Sequence, residues 1–138
     1  AIRTLTQGGV VVVACGGGGI PVIEIDGQLR GVEAVIDKDH TSGLLARQLR
    51  VGLFLITTSV EKVALHYGKP GQRSLDRATL TEIRGYYAAG HFPAGSMGPK
   101  ITAMIDFLSA GGERGLITDP PNIGRSLTGH TGTVLVPD

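Results

Sequence analysis

Val10-Val11-Val12-Val13-Ala14-Cys15-Gly16-Gly17-Gly18-Gly19-Ile20-Pro21-Val22-Ile23 is the stretch around which the chain is organised. A continuous β-branched run predicts a strand buried on both faces, here Val10 to Cys15. The glycines Gly16, Gly17, Gly18 and Gly19 follow it with no side chains in the way. A loop of that kind exposes several backbone N–H groups and suits close approach of an anion such as phosphate. It equally suits a tight connection between two strands. Two familiar phosphate motifs fail on the sequence. The third glycine of G-x-G-x-x-G would fall at Pro21, and Gly68-Lys69 has neither the upstream glycine nor the Ser/Thr of a P-loop.

Outward from this stretch, strand and helix signals alternate. Ala1 to Gly9 reads as the tail of a helix stopped by Gly8-Gly9, an opening in mid-element that suggests a fragment or a processed product. Pro21 to Ile25 and Gln28 to Val32 read as a hairpin turning at Asp26-Gly27. Glu33 to Ile36 reads as a short strand delivering Asp37-Lys38-Asp39. Thr41 to Arg50 reads as a helix with Leu44, Leu45 and Leu49 on its buried face. Leu53 to Thr57 is a buried strand, and Val63 to His66 a short one. Thr79 with Glu82 makes a capping box for a helix closed by Gly90. Pro99 suits a first helical position, with Ile101, Met104, Ile105 and Leu108 on one face. Gly115 to Thr118 and Thr133 to Val136 are strands, with a short helix over Asn122 to Leu127. This alternation predicts a mainly parallel sheet in a three-layer αβα sandwich, an α/β fold.

Composition narrows the class of function. The chain has 138 residues, 41% of them hydrophobic and 18% charged, which fits one domain over residues 1–138 with a real core. A net charge of +1 and 4% aromatic residues leave no footprint of a nucleic-acid binder. No apolar run is long enough to span a membrane. The lone Cys15 has no partner for an intramolecular disulfide, which fits a reducing, cytoplasmic setting. The four histidines, His40, His66, His91 and His130, have no ligand spacing, so no structural metal site is expected.

Three further stretches could carry chemistry. Asp37-Lys38-Asp39 sits at a predicted strand end, where open α/β sheets place their sites; alternatively Asp39 or Thr41 caps the next helix and Lys38 is solvated. Lys100 lies in a first helical turn, where a cation opposes the helix dipole by ~0.3–1 kcal/mol unless an anionic ligand reverses the sign. Thr57 to Lys69 forms a polar, glycine-bearing rim after a buried strand, with no specific signal of its own.

Taken together, these stretches resemble the carbamate kinases of the amino-acid kinase superfamily. The matching pieces are Ala14 to Ile23, Gly31 to Asp39, Leu55 to Val63 with Tyr67-Gly68-Lys69-Pro70, Gly90 to Lys100, and Gly129 to Thr133. The resemblance covers essentially all of this chain and about half of a family member, so it corresponds to the C-terminal half of the amino-acid kinase fold. The half with the family's Gly-Gly-Asn motif has no counterpart here. His40 stands where an apolar or aromatic residue is more common, and Gly98 where a larger one is.

The resemblance implies reversible phosphoryl transfer from ATP to carbamate, giving ADP and carbamoyl phosphate, usually in the ATP-forming direction of arginine fermentation. Lys38 and Lys100, matched to the family's conserved lysines, would neutralise charge on the phosphoryl oxygens, and Asp39 would orient them. Gly16 to Gly19 would wall the phosphate and acceptor side. Thr57, Thr58, Val60, Lys62, Tyr67, Gly68, Lys69 and Met97 would line the nucleotide, with Mg²⁺ arriving on it. A non-catalytic nucleotide-binding fragment that pairs with a separate N-terminal half, or that self-associates, stays open. So does an enzyme of the same type with another acceptor.

Overall fold

In the computed structural model, which describes residues 1–138, the central sheet has the strand order β5-β9-β10-β8. These strands are β5 (Leu53–Thr57), β8 (Arg77–Thr79), β9 (Arg114–Thr118) and β10 (Thr133–Val136). The β5/β9 and β10/β8 pairs are parallel, and β9/β10 is antiparallel. The sheet is therefore mixed and mostly parallel, within an α/β fold.

Helices α2 (Lys38–Leu49), α3 (Leu80–Ala88) and α4 (Met97–Ser109) cover one face. A Cβ at Gly115 would meet Met104 Sδ at 2.6 Å, so α4 lies directly on β9 and a side chain there would clash. Leu116 alternates to the opposite face, towards Gly132 and Ser126, where α5 (Ile123–Leu127) packs after a 3-10 turn at Pro120–Asn122. The core on the α4 side includes Ile101, Met104, Phe107, Ile117 and Leu135, all at most 1% exposed. Phe54 and Phe107 meet edge to face with centroids 5.5 Å apart.

The hairpin β2 (Val22–Ile25) and β3 (Gln28–Gly31) forms in the expected register, Ile25 opposite Gln28. Its turn residues Asp26 and Gly27 have φ of 51° and 75°, the left-handed pair that a two-residue hairpin loop requires. The capping box also forms. The Thr79 hydroxyl accepts from Glu82 N–H and the Glu82 carboxylate from Thr79 N–H. Asp138 adds a second cap, its carboxylate accepting from the Thr81 N–H and hydroxyl at 2.9 and 2.8 Å. Those hydrogen bonds hold the Asp138 carboxyl below the usual carboxylate range.

Several expectations are corrected. Val10 to Cys15 is no strand: Val11 and Val13 are 93% and 98% exposed, after the short helix α1 (Ile2–Gln7). A β-branched run becomes a buried strand only beside a partner, and β5, at the sheet's edge, pairs with β9 alone. Glu33 to Val35 stay irregular, leaving only β4 (Ile36–Asp37), which pairs antiparallel with β1 (Gly18–Gly19). Helix α2 starts at Lys38 with Asp37 as its cap, not Asp39 or Thr41. Its buried stripe is Asp39, Gly43 and Ala46, while Leu44 is exposed. The reason is close contact with α4: a Cβ at Gly43 would touch Ala103 at 3.4 Å, so small residues, not leucines, face inward. Pro99 is the third residue of α4, because the Gly98 N–H donates to the Pro93 carbonyl at 2.8 Å and the helix starts at Met97. The strand pair β6 (Ala64–Leu65) and β7 (Arg73–Ser74) had only its first member expected.

Candidate functional site

Strands β5 and β9 are entered from α2 and α4, helices that run antiparallel to them. The first turns of α2 and α4 therefore lie outside the C-terminal ends of β5 and β9, where open α/β sheets hold ligands. Asp37 caps α2 by accepting from the Asp39 N–H at 2.7 Å. Partial burial opposes charge on its carboxyl. The Asp39 amide, Lys38 and His40 outweigh that and hold it below the usual carboxylate range.

Capping at Asp37 places Lys38 and Asp39 in the first turn of the helix. Lys100 Nζ donates to Asp39 Oδ2 at 2.8 Å, and the two side chains are only 13% and 10% exposed. Lys38 Nζ lies 3.7 Å from the same oxygen and is 58% exposed. One carboxylate oxygen thus joins two ammonium groups from different helices, one held and one reaching into solvent. A buried ion pair of this quality repays its desolvation only with good geometry.

The glycine loop is fastened against this cluster. Gly18 lies opposite Asp37 in the β1/β4 pairing. A Cβ at Gly18 would stand 2.0 Å from the Ile36 carbonyl oxygen, and its φ is +150°. Only glycine permits both. The turn into it closes by the Gly18 N–H donating to the Cys15 carbonyl at 2.9 Å, with Cys15 and Gly16 at positive φ. Gly16 and Gly17 have open space around them.

On the other side of the α4 N-terminus lies a half-apolar cavity of about 110 Å³, lined by Thr58, Val60, Tyr67, Phe92 and Met97 among others. Met97 precedes Lys100 by three residues, so cavity and ammonium both adjoin the first turn of α4. An adjoining cleft shares Val60, Ala64 and Tyr67 and adds Lys62, whose Nζ lies 2.5 Å from Asp76 Oδ1.

The structure therefore gathers Lys38, Asp39, Lys100 and Gly16 to Gly19 on one side, and Thr58, Val60, Tyr67 and Met97 on the other. Thr57 stands exposed at the end of β5, outside the cavity. Gly68 and Lys69 lie at the exposed tip between β6 and β7, where the Gly68 N–H donates to Gln72 Oε1 at 2.7 Å. Sequence reasoning missed His91, Phe92 and Pro93 in the lining. Their signal was present in the Gly90 to Lys100 match, but which of those residues turn inward depends on the α4 start. His40, one departure from the family pattern, is exposed with Nε2 3.4 Å from Thr102 Oγ1. Gly98, the other, leaves no room for a side chain: a Cβ would sit 2.9 Å from the Pro93 carbonyl oxygen.

An α/β sheet thus carries a lysine–aspartate–lysine cluster and a glycine loop outside the carboxyl ends of its strands, where such sheets hold ligands. The chain belongs to the amino acid kinase family, whose pattern matches residues 1–119. Over 99% of its length it is 48% identical to the carbamate kinase-like protein YahI of Escherichia coli, covering 43% of that protein. It is also 48% identical to the carbamate kinase of Thermoplasma volcanium, covering 45% of it. Carbamate kinase from Giardia lamblia bound to AMP-PNP superimposes with a TM-score of 0.93 at 40% identity, over 99% of this chain and 43% of that one. The chain thus spans less than half the length of the relatives it matches. No helix is long and apolar enough to cross a membrane.

Proposed function

We propose that residues 1–138 form the nucleotide-binding half of a carbamate kinase-type phosphotransferase, working on ATP and carbamate, ADP and carbamoyl phosphate, in the cytoplasm. In the ATP-forming direction it would close arginine fermentation. The observation that carries this reading is the bridge from Lys100 through Asp39 to Lys38, set between the glycine loop and the cavity. In-line phosphoryl transfer needs positioning and charge stabilisation more than covalent help from protein. Lys100, nearly dry and locked by Asp39, supplies a fixed positive charge for the transferring oxygens. Lys38 is free to follow them. Asp39 serves as the lysines' anchor, not as a base, since carbamate is already an anion. The cavity takes the adenine and ribose side, and the binding of AMP-PNP by the Giardia relative supports a nucleotide as ligand.

Mg²⁺ fits as a passenger of the nucleotide phosphates. No three His, Cys, Asp or Glu side chains converge as ligands, and Asp39 is engaged by lysines. When bound with the nucleotide, the ion would supply charge neutralisation.

A second reading, a nucleotide-binding fragment inactive without a separate N-terminal half, is favoured by one observation. Most exposed large apolar side chains lie between Val10 and Ile36, on the segment that includes the unpaired Val10 to Val13 run. Exposed apolar surface of this kind marks an interaction site or promotes self-association.

One experiment tests both. ADP binding is measured by calorimetry on the chain alone. ATP formation from ADP and carbamoyl phosphate is then measured with and without the N-terminal half of a relative. Binding alone with turnover only in the mixture supports the fragment reading. Turnover by the chain alone refutes it. Failure of the mixture to turn over rejects the carbamate kinase assignment, and absence of ADP binding rejects the nucleotide site.

A further inference from the structure

Thr133 has no part in the proposed chemistry and does not line the cavity, yet its hydroxyl bonds to both ends of the segment that forms one wall. It is completely buried in β10, opposite Ile117 of β9. Its Oγ1 accepts from the Val63 N–H at 2.9 Å and donates to the Leu75 carbonyl. The Leu75 N–H in turn donates to the Val63 carbonyl at 2.8 Å. Val63 and Leu75 are the two ends of the excursion that contains β6 and β7, and they are 0% and 4% exposed. That excursion contributes Ala64 and Tyr67 to the cavity and Gln72 and Ser74 to the adjoining cleft.

We propose that Thr133 is a positioning residue for nucleotide binding: its hydroxyl seats both ends of the Val63–Leu75 excursion on β10 and so sets the cavity's width. Val63 precedes β6, so its N–H is outside the β6/β7 ladder, and without an acceptor it is an orphaned buried donor. Thr133 sits on the rigid central sheet, whereas the tip between β6 and β7 is exposed from His66 to Gln72. The hydroxyl therefore ties the polar backbone at both ends of the excursion to the sheet, beside the apolar packing of Val63, Leu65 and Leu75 in the core. The inference rests on the nucleotide reading above and deepens it.

The test compares the unmodified chain with Thr133→Val, Thr133→Ser and Thr133→Cys. ADP affinity is read by calorimetry, folding by circular dichroism, and exchange of the Val63 amide by NMR. Thr133→Val keeps the shape and removes the hydroxyl. It is expected to weaken ADP binding by about tenfold and to speed Val63 exchange by a similar factor. Thr133→Ser, which keeps the hydroxyl, is expected to restore both. A role in stability alone would leave ADP affinity unchanged wherever the variant is folded, and that result overturns the proposal. Should Thr133→Val not fold, Thr133→Cys decides, since a thiol is a weak donor and acceptor. Unchanged affinity and unchanged Val63 exchange in that variant also overturn it. Failure of the unmodified chain to bind ADP is a different result, which removes the nucleotide reading and this proposal with it.

Discussion

Asp39 and Lys100 come from positions 61 residues apart and meet at 2.8 Å with little water around them. Replacing Lys100 therefore has two separable consequences. Lys100→Met leaves a buried carboxylate without its hydrogen-bonded cation, which is expected to cost about 3–5 kcal/mol of stability. In the chain paired with an N-terminal half, it is also expected to lower phosphoryl transfer on the order of a hundredfold or more. Adding Asp39→Asn should recover much of the stability and none of the activity. Urea unfolding alongside turnover distinguishes the two effects, and full activity in Lys100→Met would refute the assigned role. Thr118 offers the opposite case. Its hydroxyl is fully buried and has no hydrogen-bond partner. Thr118→Val should raise stability by about 1 kcal/mol, seen as a higher urea midpoint, because it removes a polar group whose desolvation nothing offsets. Both residues were visible as letters, but neither the ion pair nor the orphan could be read before the elements were packed.

Among the elements, α2 shows how a cap sets a site. Had Thr41 been the cap, Lys38 and Asp39 would stand in a loop outside the helix; with Asp37 as cap they are held in its first turn. The Asp37 carboxylate is held below its ordinary value of 3.8. A depressed value means that its contribution to stability is fully present above 3.8 and is lost as pH falls through the lower, folded value. Asp37→Ala should accordingly destabilise the chain by about 1 kcal/mol at neutral pH. The difference from the unmodified chain should shrink as pH is lowered past 3.8, and a pH-independent difference would contradict the cap's charged character. Elements with local signals were legible: the hairpin at Asp26-Gly27, the capping box at Thr79 and the strands β5 and β10. The buried face of α2 was not. Leu44, Leu45 and Leu49 have the right period, but the buried stripe is Asp39, Gly43 and Ala46, with Gly43 set close against Ala103 of α4.

For the whole molecule, most of the exposed large apolar residues lie between Val10 and Ile36. The chain alone is expected to self-associate, with weight-average mass rising with concentration in sedimentation equilibrium. The double change Val11→Lys and Val13→Lys should suppress this without lowering the unfolding midpoint, since both side chains are already in water. Persistent association in that variant would place the contact elsewhere. The sequence alone determined the α/β class, the order of most elements and the identity of the charged residues, because turns, caps and hydrophobic periods are local. It also carried the family resemblance on which the reaction rests. Tertiary structure decided the rest, because it depends on neighbours. The Val10 to Cys15 run has strand chemistry but no partner strand. Lys38, Asp39 and Lys100 become one cluster only when α2 and α4 pack. The four glycines that suited equally a phosphate cradle or a tight turn resolve by position: Gly18 is fixed by its contact with Ile36, while Gly16 and Gly17 remain open.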